Sequence, residues 1–241
     1  MRAITRTEFE RAIVRNCAPT LAALKPANLF TFPGAFVDDD DASGRQQAGR
    51  NRILLSDIAK TCTEQLEPIG IVLRVLVWRP CGALVYVCRP EMLSSHLNDE
   101  RAAAPLRMEG YPVDDLDACL DRLAQRIADA GKRSITNGEP GTRSPVGDKT
   151  ELEARTCPCG NEPCRREFPH ELGYFLGYPY ADVAEFIRQR GENYLEFGMW
   201  KIYTERERAL ETFARYKRCT RSMIRAYRRR GRLDGLAVCV R

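Results

Sequence analysis

Two apolar runs joined by a short turn constrain the fold of this chain more than any other feature in it. Ile71–Trp78 is rich in Val, Leu and Ile, and Ala83–Cys88 repeats that character. Arg79-Pro80-Cys81-Gly82 between them supplies turn chemistry, so the pair reads as a β-hairpin. A hairpin with one wet face alternates apolar and polar residues. These strands are nearly continuous in their apolar character, so both faces of the hairpin must be covered.

Helices provide the cover. Thr7 with Glu10 three residues later forms a capping-box pattern ahead of a short helix to Val14. Ser56 or Asp57 can cap a helix through about Leu66, and Glu91–Leu97 reads as another. Val113, Leu116, Leu120, Leu123 and Ile127 recur at helical spacing, with Asp114, Asp115 and Asp117 in the first turn, and the helix should stop near Gly131. A helix from about Tyr180 to Arg190 is closed by Gly191, and Met199–Tyr203 reads as a short strand. Last comes a long helix over about 205–230, striped by Leu210, Phe213, Tyr216, Cys219 and Tyr227. The expected class is α+β: a small antiparallel sheet, made of the hairpin at 71–88 and a strand near 199–203, packed with several helices. The expected organisation is a single domain over 1–241, with inserted loops at about 38–50 and 131–166.

Composition narrows the setting. No apolar segment follows Met1-Arg2, and the most apolar stretch, Ile69–Trp78, is interrupted by Arg74 and is about half the length that spans a bilayer. The expectation is a cytoplasmic protein without a membrane partner. Most of the ten cysteines lie singly among apolar residues, as Cys62, Cys88, Cys119 and Cys239 do, and read as small buried hydrophobes. The net charge of +5 is uneven: residues 205–241 carry +8, leaving −3 for the rest.

Three segments carry a family signature. The first is Cys17-Ala18-Pro19-Thr20-Leu21 with Lys25-Pro26-Ala27-Asn28-Leu29-Phe30, in which two prolines bracket a short apolar turn of helix. The second is Phe168-Pro169-His170-Glu171-Leu172-Gly173 with Phe175-Leu176-Gly177-Tyr178-Pro179. The third is Trp200-Lys201-Ile202-Tyr203, followed by Phe213, Tyr216 and Cys219. Together they resemble the bacterial domain-of-unknown-function family numbered 3793, found largely in anaerobes, over about residues 10–220. The family has no assigned activity. The resemblance implies a redox or iron-linked setting, with flavodoxin or another acidic protein as a partner. The stretches at 38–50 and 131–166 look longer than the family pattern.

Five groups of residues could carry chemistry. His170-Glu171 opens a helix; the imidazole could act as acid or base, or ligate a metal, with Glu171 orienting it, or both could simply anchor the helix. Cys17 beside Lys25 could be an activated nucleophile with an anion binder, or a buried thiol and a turn residue. Cys157, Cys159, Cys164 and His170 have the donor types of a tetrahedral zinc site, although the spacing C-x-C-x4-C-x5-H lacks paired C-x2-C knuckles. The basic helix carries nine Arg or Lys among residues 215–232 and no acid, a footprint for an anionic partner or a solvated face. No recognised nucleic-acid module accompanies it, so nucleic acid is the less expected partner. Trp200-Lys201-Ile202-Tyr203 could stack a planar ligand, or pack a sheet. There is no Walker A loop, G-x-G-x-x-G, G-x-S-x-G or kinase set.

Two functions follow as expectations. One is a small-molecule-binding protein or enzyme of redox or metal metabolism, its site gathering Cys17, Lys25, His170, Glu171, Lys201 and Tyr203. The other is a non-catalytic interaction protein that docks an acidic partner or a nucleic acid through its basic C-terminal helix.

Overall fold

Every residue of the strand Gly82–Cys88 is buried, because this strand lies in the middle of a three-stranded antiparallel sheet with elements on both faces. The computed structural model describes residues 4–37, 42–136, 169–233 and 235–238. Among these, helix α1 (Arg6–Leu21) leads to strand β1 (Ala27–Pro33), helix α2 (Ala42–Leu66) and the hairpin β2 (Val72–Arg79) and β3 (Gly82–Cys88). Helices α3 (Pro90–Leu97), α4 (Glu100–Met108) and α5 (Leu116–Thr136) follow. The later part holds α6 (Leu172–Phe175), α7 (Tyr180–Arg188), the short strands β4 (Glu196–Phe197) and β5 (Lys201–Ile202), and α8 (Arg206–Arg230). The α+β class and the doubly covered hairpin are therefore as the sequence implies.

The third strand of the main sheet is β1, in the order β1-β3-β2, and not the segment near 199–203. That later segment pairs with Glu196–Phe197 in a two-stranded ribbon of its own. Residues 42–50 are helical, where the sequence suggested a loop. Tertiary contact holds them: Ala48 is buried, Asn51 Nδ2 donates to Ala35 O at 2.9 Å, and Arg52 Nε donates to Phe36 O. Helix α5 passes through Gly131 and ends at Thr136. The expected loop beyond it, with Cys157, Cys159 and Cys164, lies outside the described residues, as do residues 38–41.

The sheet divides the core in two. Phe30, Phe32, Leu73, Val85 and Val87 face α1, α2 and the end of α8. Leu84, Tyr86 and Cys88 face α3 to α7. Tyr86 Oη donates to Phe175 O at 2.5 Å, which hangs α6 on the central strand. A third, smaller cluster gathers Trp200, Ile202, Ala209, Phe213 and Tyr216 against Leu24 and Tyr178.

The buried guanidinium of Arg89, just past β3, cross-ties distant segments. It donates to Thr20 O at 2.7 Å, Leu21 O at 2.8 Å, Ile69 O at 3.1 Å and Val238 O at 2.6 Å. Two of these are carbonyls in the last turn of α1, where a cation also opposes the negative pole of the helix. No helix of the described residues is long and apolar enough to cross a membrane.

Candidate functional site

The turn after α6 shapes the site. Gly177 closes this helix at φ +65°, and a Cβ there would collide with the Pro26 ring, so glycine is required for both conformation and space. The turn aims Tyr178 at the third cluster and lets Pro179 start α7. Asp182, in the first turn of α7 and 3% exposed, then organises the strand opposite. It accepts from Trp200 Nε1 at 2.8 Å, from the backbone N–H groups of Tyr203 and Thr204 at 2.9 Å each, and from Thr204 Oγ1 at 2.9 Å. Four donors satisfy this buried carboxylate, so its role is to fix β5 and the Trp200 ring against α7.

Between α6, α7 and β5 lies a groove of about 440 Å³. Leu176, Tyr178, Val183, Phe186, Phe197 and Trp200 give it apolar walls; His170, Lys201 and the already satisfied Asp182 bring the polar groups. The exposed His170 ring meets Phe186 edge-on at 5.4 Å. Lys201 Nζ donates to Gly191 O at 2.6 Å and lies 4.6 Å from the centre of the Tyr194 ring. One of its three donors is thus engaged. Phe197, about 60% exposed, stands at the edge of the groove, and Tyr194 and Leu195 are exposed beside it.

Of the six residues expected to form one site, only His170 and Lys201 line this groove. Glu171 turns the other way. It is 5% exposed, accepts from Tyr111 Oη at 2.9 Å and pairs with Arg126 Nε at 2.6 Å. Burial and the neighbouring carboxylate push the Tyr111 phenol well above its ordinary range. Glu171 therefore fastens the start of α6 to α5 and the loop before it. Tyr203 gives its backbone N–H to Asp182, while its hydroxyl is buried and has no hydrogen-bond partner among the described residues.

Cys17 and Lys25 are close enough to influence each other electrostatically, but both are buried. Burial pushes the Cys17 thiol up, and this outweighs the opposing pull of Lys25, so its surroundings favour the thiol over the thiolate. Lys25 is 6% exposed and makes no hydrogen bond or ion pair among the described residues. Its ammonium faces two rings, 5.0 Å from the centre of Tyr178 and 6.0 Å from that of Tyr216. Burial lowers its pKa to about 8. The other face of this aromatic wall continues into the groove, since Tyr178 packs on Trp200 at 5.1 Å and Trp200 on Phe213 at 4.4 Å.

The three signature segments thus do converge, and of the residues expected to act only Lys25 sits at their junction. The first contributes Lys25 and Pro26, the second Gly177 and Tyr178, and the third Trp200, Phe213 and Tyr216. A family model described as "Protein of unknown function (DUF3793)" matches residues 13–237. The chain belongs to this family. No curated protein and no solved structure matches it. In this DUF3793 chain, the described residues contain no group of three or more His, Cys, Asp or Glu side chains that could hold a metal. The expected zinc set of Cys157, Cys159, Cys164 and His170 has only His170 within the described residues.

Asp182, Tyr178 and Phe186 were not legible as site residues. An aspartate in a first helical turn reads as a dipole partner. Its real partners lie 18 to 22 positions away, and nothing local marks them.

Proposed function

We propose that the protein binds a small, flat, mostly apolar molecule carrying an acidic group, in the groove between α6, α7 and β5. The observation that carries this reading is the pairing of aromatic walls with two basic side chains that retain donor capacity. Trp200 and Phe186 offer ring surfaces, and the indole N–H of Trp200 is already used by Asp182, so the wall itself is apolar. Lys201 and His170 supply the polar contacts that would fix an anionic end. From the lining Phe197, the exposed Leu195 extends the apolar surface beyond the groove, as at a ligand mouth. A redox or iron-linked role for such a ligand fits the setting that the family resemblance implies.

The chain has two tryptophans, so Trp78→Phe leaves Trp200 as the sole indole. Titrating that variant with 1-anilinonaphthalene-8-sulfonate, an aromatic anion, should give saturable energy transfer from Trp200. Lys201→Met should weaken the interaction about five- to tenfold, the loss of one charge-assisted contact. Absent energy transfer, or transfer indifferent to Lys201, rejects the reading. Absorbance of the protein as isolated without oxygen would reveal a flavin, haem or iron ligand directly.

A further inference from the structure

Helices α1 and α8 pack antiparallel: Cys219 Sγ lies 3.5 Å from Ala18 O, and Tyr227 Oη donates to Glu10 at 2.7 Å. The contact faces are apolar or mutually satisfied, and the outer face of α8 beyond Thr212 is cationic. On α8, Arg215, Arg218, Arg221, Arg225, Arg228 and Arg229 are all exposed and form no ion pair among the described residues. No acidic residue occurs between Thr212 and Leu233. The fold adds what the sequence keeps apart: Arg11 and Arg15 are exposed on α1 and run alongside this part of α8, and Arg11 is near enough to act electrostatically on Tyr227.

We infer that the outer face of the α1–α8 pair binds the phosphate backbone of nucleic acid, without sequence preference. Residues 215–229 span about 21 Å of helix, and a duplex of that length presents about twelve phosphates. The six arginines of α8, with Arg11 and Arg15 beside them on α1, match such a backbone in sign. An acidic protein fits less well. Protein interfaces centre on apolar or aromatic anchors with charges at the rim. The exposed large apolar side chains of the molecule lie elsewhere, none of them on α1 or α8. Contact with a phosphate backbone requires no such anchor.

The test is fluorescence anisotropy of a labelled 20-base-pair duplex of mixed sequence, and of an RNA of equal length, between 50 and 300 mM NaCl. The expected result is binding that weakens steeply with salt, with a log–log slope of about −4 to −6 for duplex DNA. Arg221→Glu with Arg225→Glu and Arg228→Glu should reduce affinity at least about twentyfold and flatten the slope. Arg11→Glu with Arg15→Glu, on the other helix, should cost about three- to tenfold. Circular dichroism and sulfonate binding at the groove report whether each variant keeps its fold. Three results overturn the inference: no binding at 50 mM NaCl, affinity unchanged in folded variants, or association with polyglutamate or phosphatidylglycerol vesicles but with neither nucleic acid.

Discussion

Two charges are buried almost equally on opposite sides of the turn that starts α6 and α7, and they are treated in opposite ways. Glu171, 5% exposed, has a phenol donor and a guanidinium. Lys25, 6% exposed, has only the faces of two tyrosines among the described residues. A buried charge with good partners helps to hold its surroundings in place. A buried amine without an anion is disfavoured in its charged form and costs stability. The first region thus works as a fastening. In the second, stability is sacrificed at the junction where the three signature segments meet, next to the groove. That is the physical mark that distinguishes a structural charge from one kept for another reason.

The comparison can be broken from either end. Glu171→Ala leaves the buried Tyr111 hydroxyl without its acceptor and Arg126 with the more exposed Glu109 alone, and should destabilise the protein by about 3 kcal/mol in urea unfolding; a loss below about 1 kcal/mol would mean that the pair is not a fastening. Lys25→Met removes the unpaired charge with little change of volume, and should stabilise by up to about 3 kcal/mol at pH 7. Its pH dependence sharpens the contrast. An unfolded lysine keeps its proton to about pH 10.5 and the folded one releases it near 8, so between those values the unfolded state holds more protons. Wild type therefore gains stability relative to Lys25→Met as pH rises through that window, and the two should converge above it. The smallest effect tests the entry to the junction. Ala23 ends α1 at φ +55°, the position where a left-handed residue is usually glycine, with Leu24 N donating to Pro19 O at 2.8 Å. Ala23→Gly should stabilise by about 0.5–1 kcal/mol, read from the same unfolding curves.

The residues reveal some of this organisation and hide the rest, for reasons that can be stated. The hairpin is legible because apolar density over β2 and β3 demands cover on both faces. Helices α7 and α8 are legible from their apolar spacing and from glycines near their C-terminal ends. Strand β1 is hidden: it begins right after Pro26 and ends in Pro33, and only pairing with β3 makes it a strand. The start of α2 is hidden because Gly and Ser read as loop until contacts through Asn51 and Arg52 are known. At the site, the types of residue were visible but their directions were not. His170 and Glu171 are adjacent, yet one faces the groove and the other faces α5. Which way each points is settled by Tyr111, Arg126 and Phe186, at distances in the chain that no local pattern spans.

Arg89 carries a consequence for the chain as it is made. Its carbonyl partners include Val238, 149 positions downstream. At ordinary rates of synthesis that residue is added roughly 7–30 s after the arginine. For that interval the guanidinium has lost water on some sides and gained acceptors on only part of them. The N-terminal half can collapse early, but its central knot is tied only when the segment after α8 arrives. A nascent chain of this protein should therefore stay open to chaperones and proteases until nearly its last described residues have emerged.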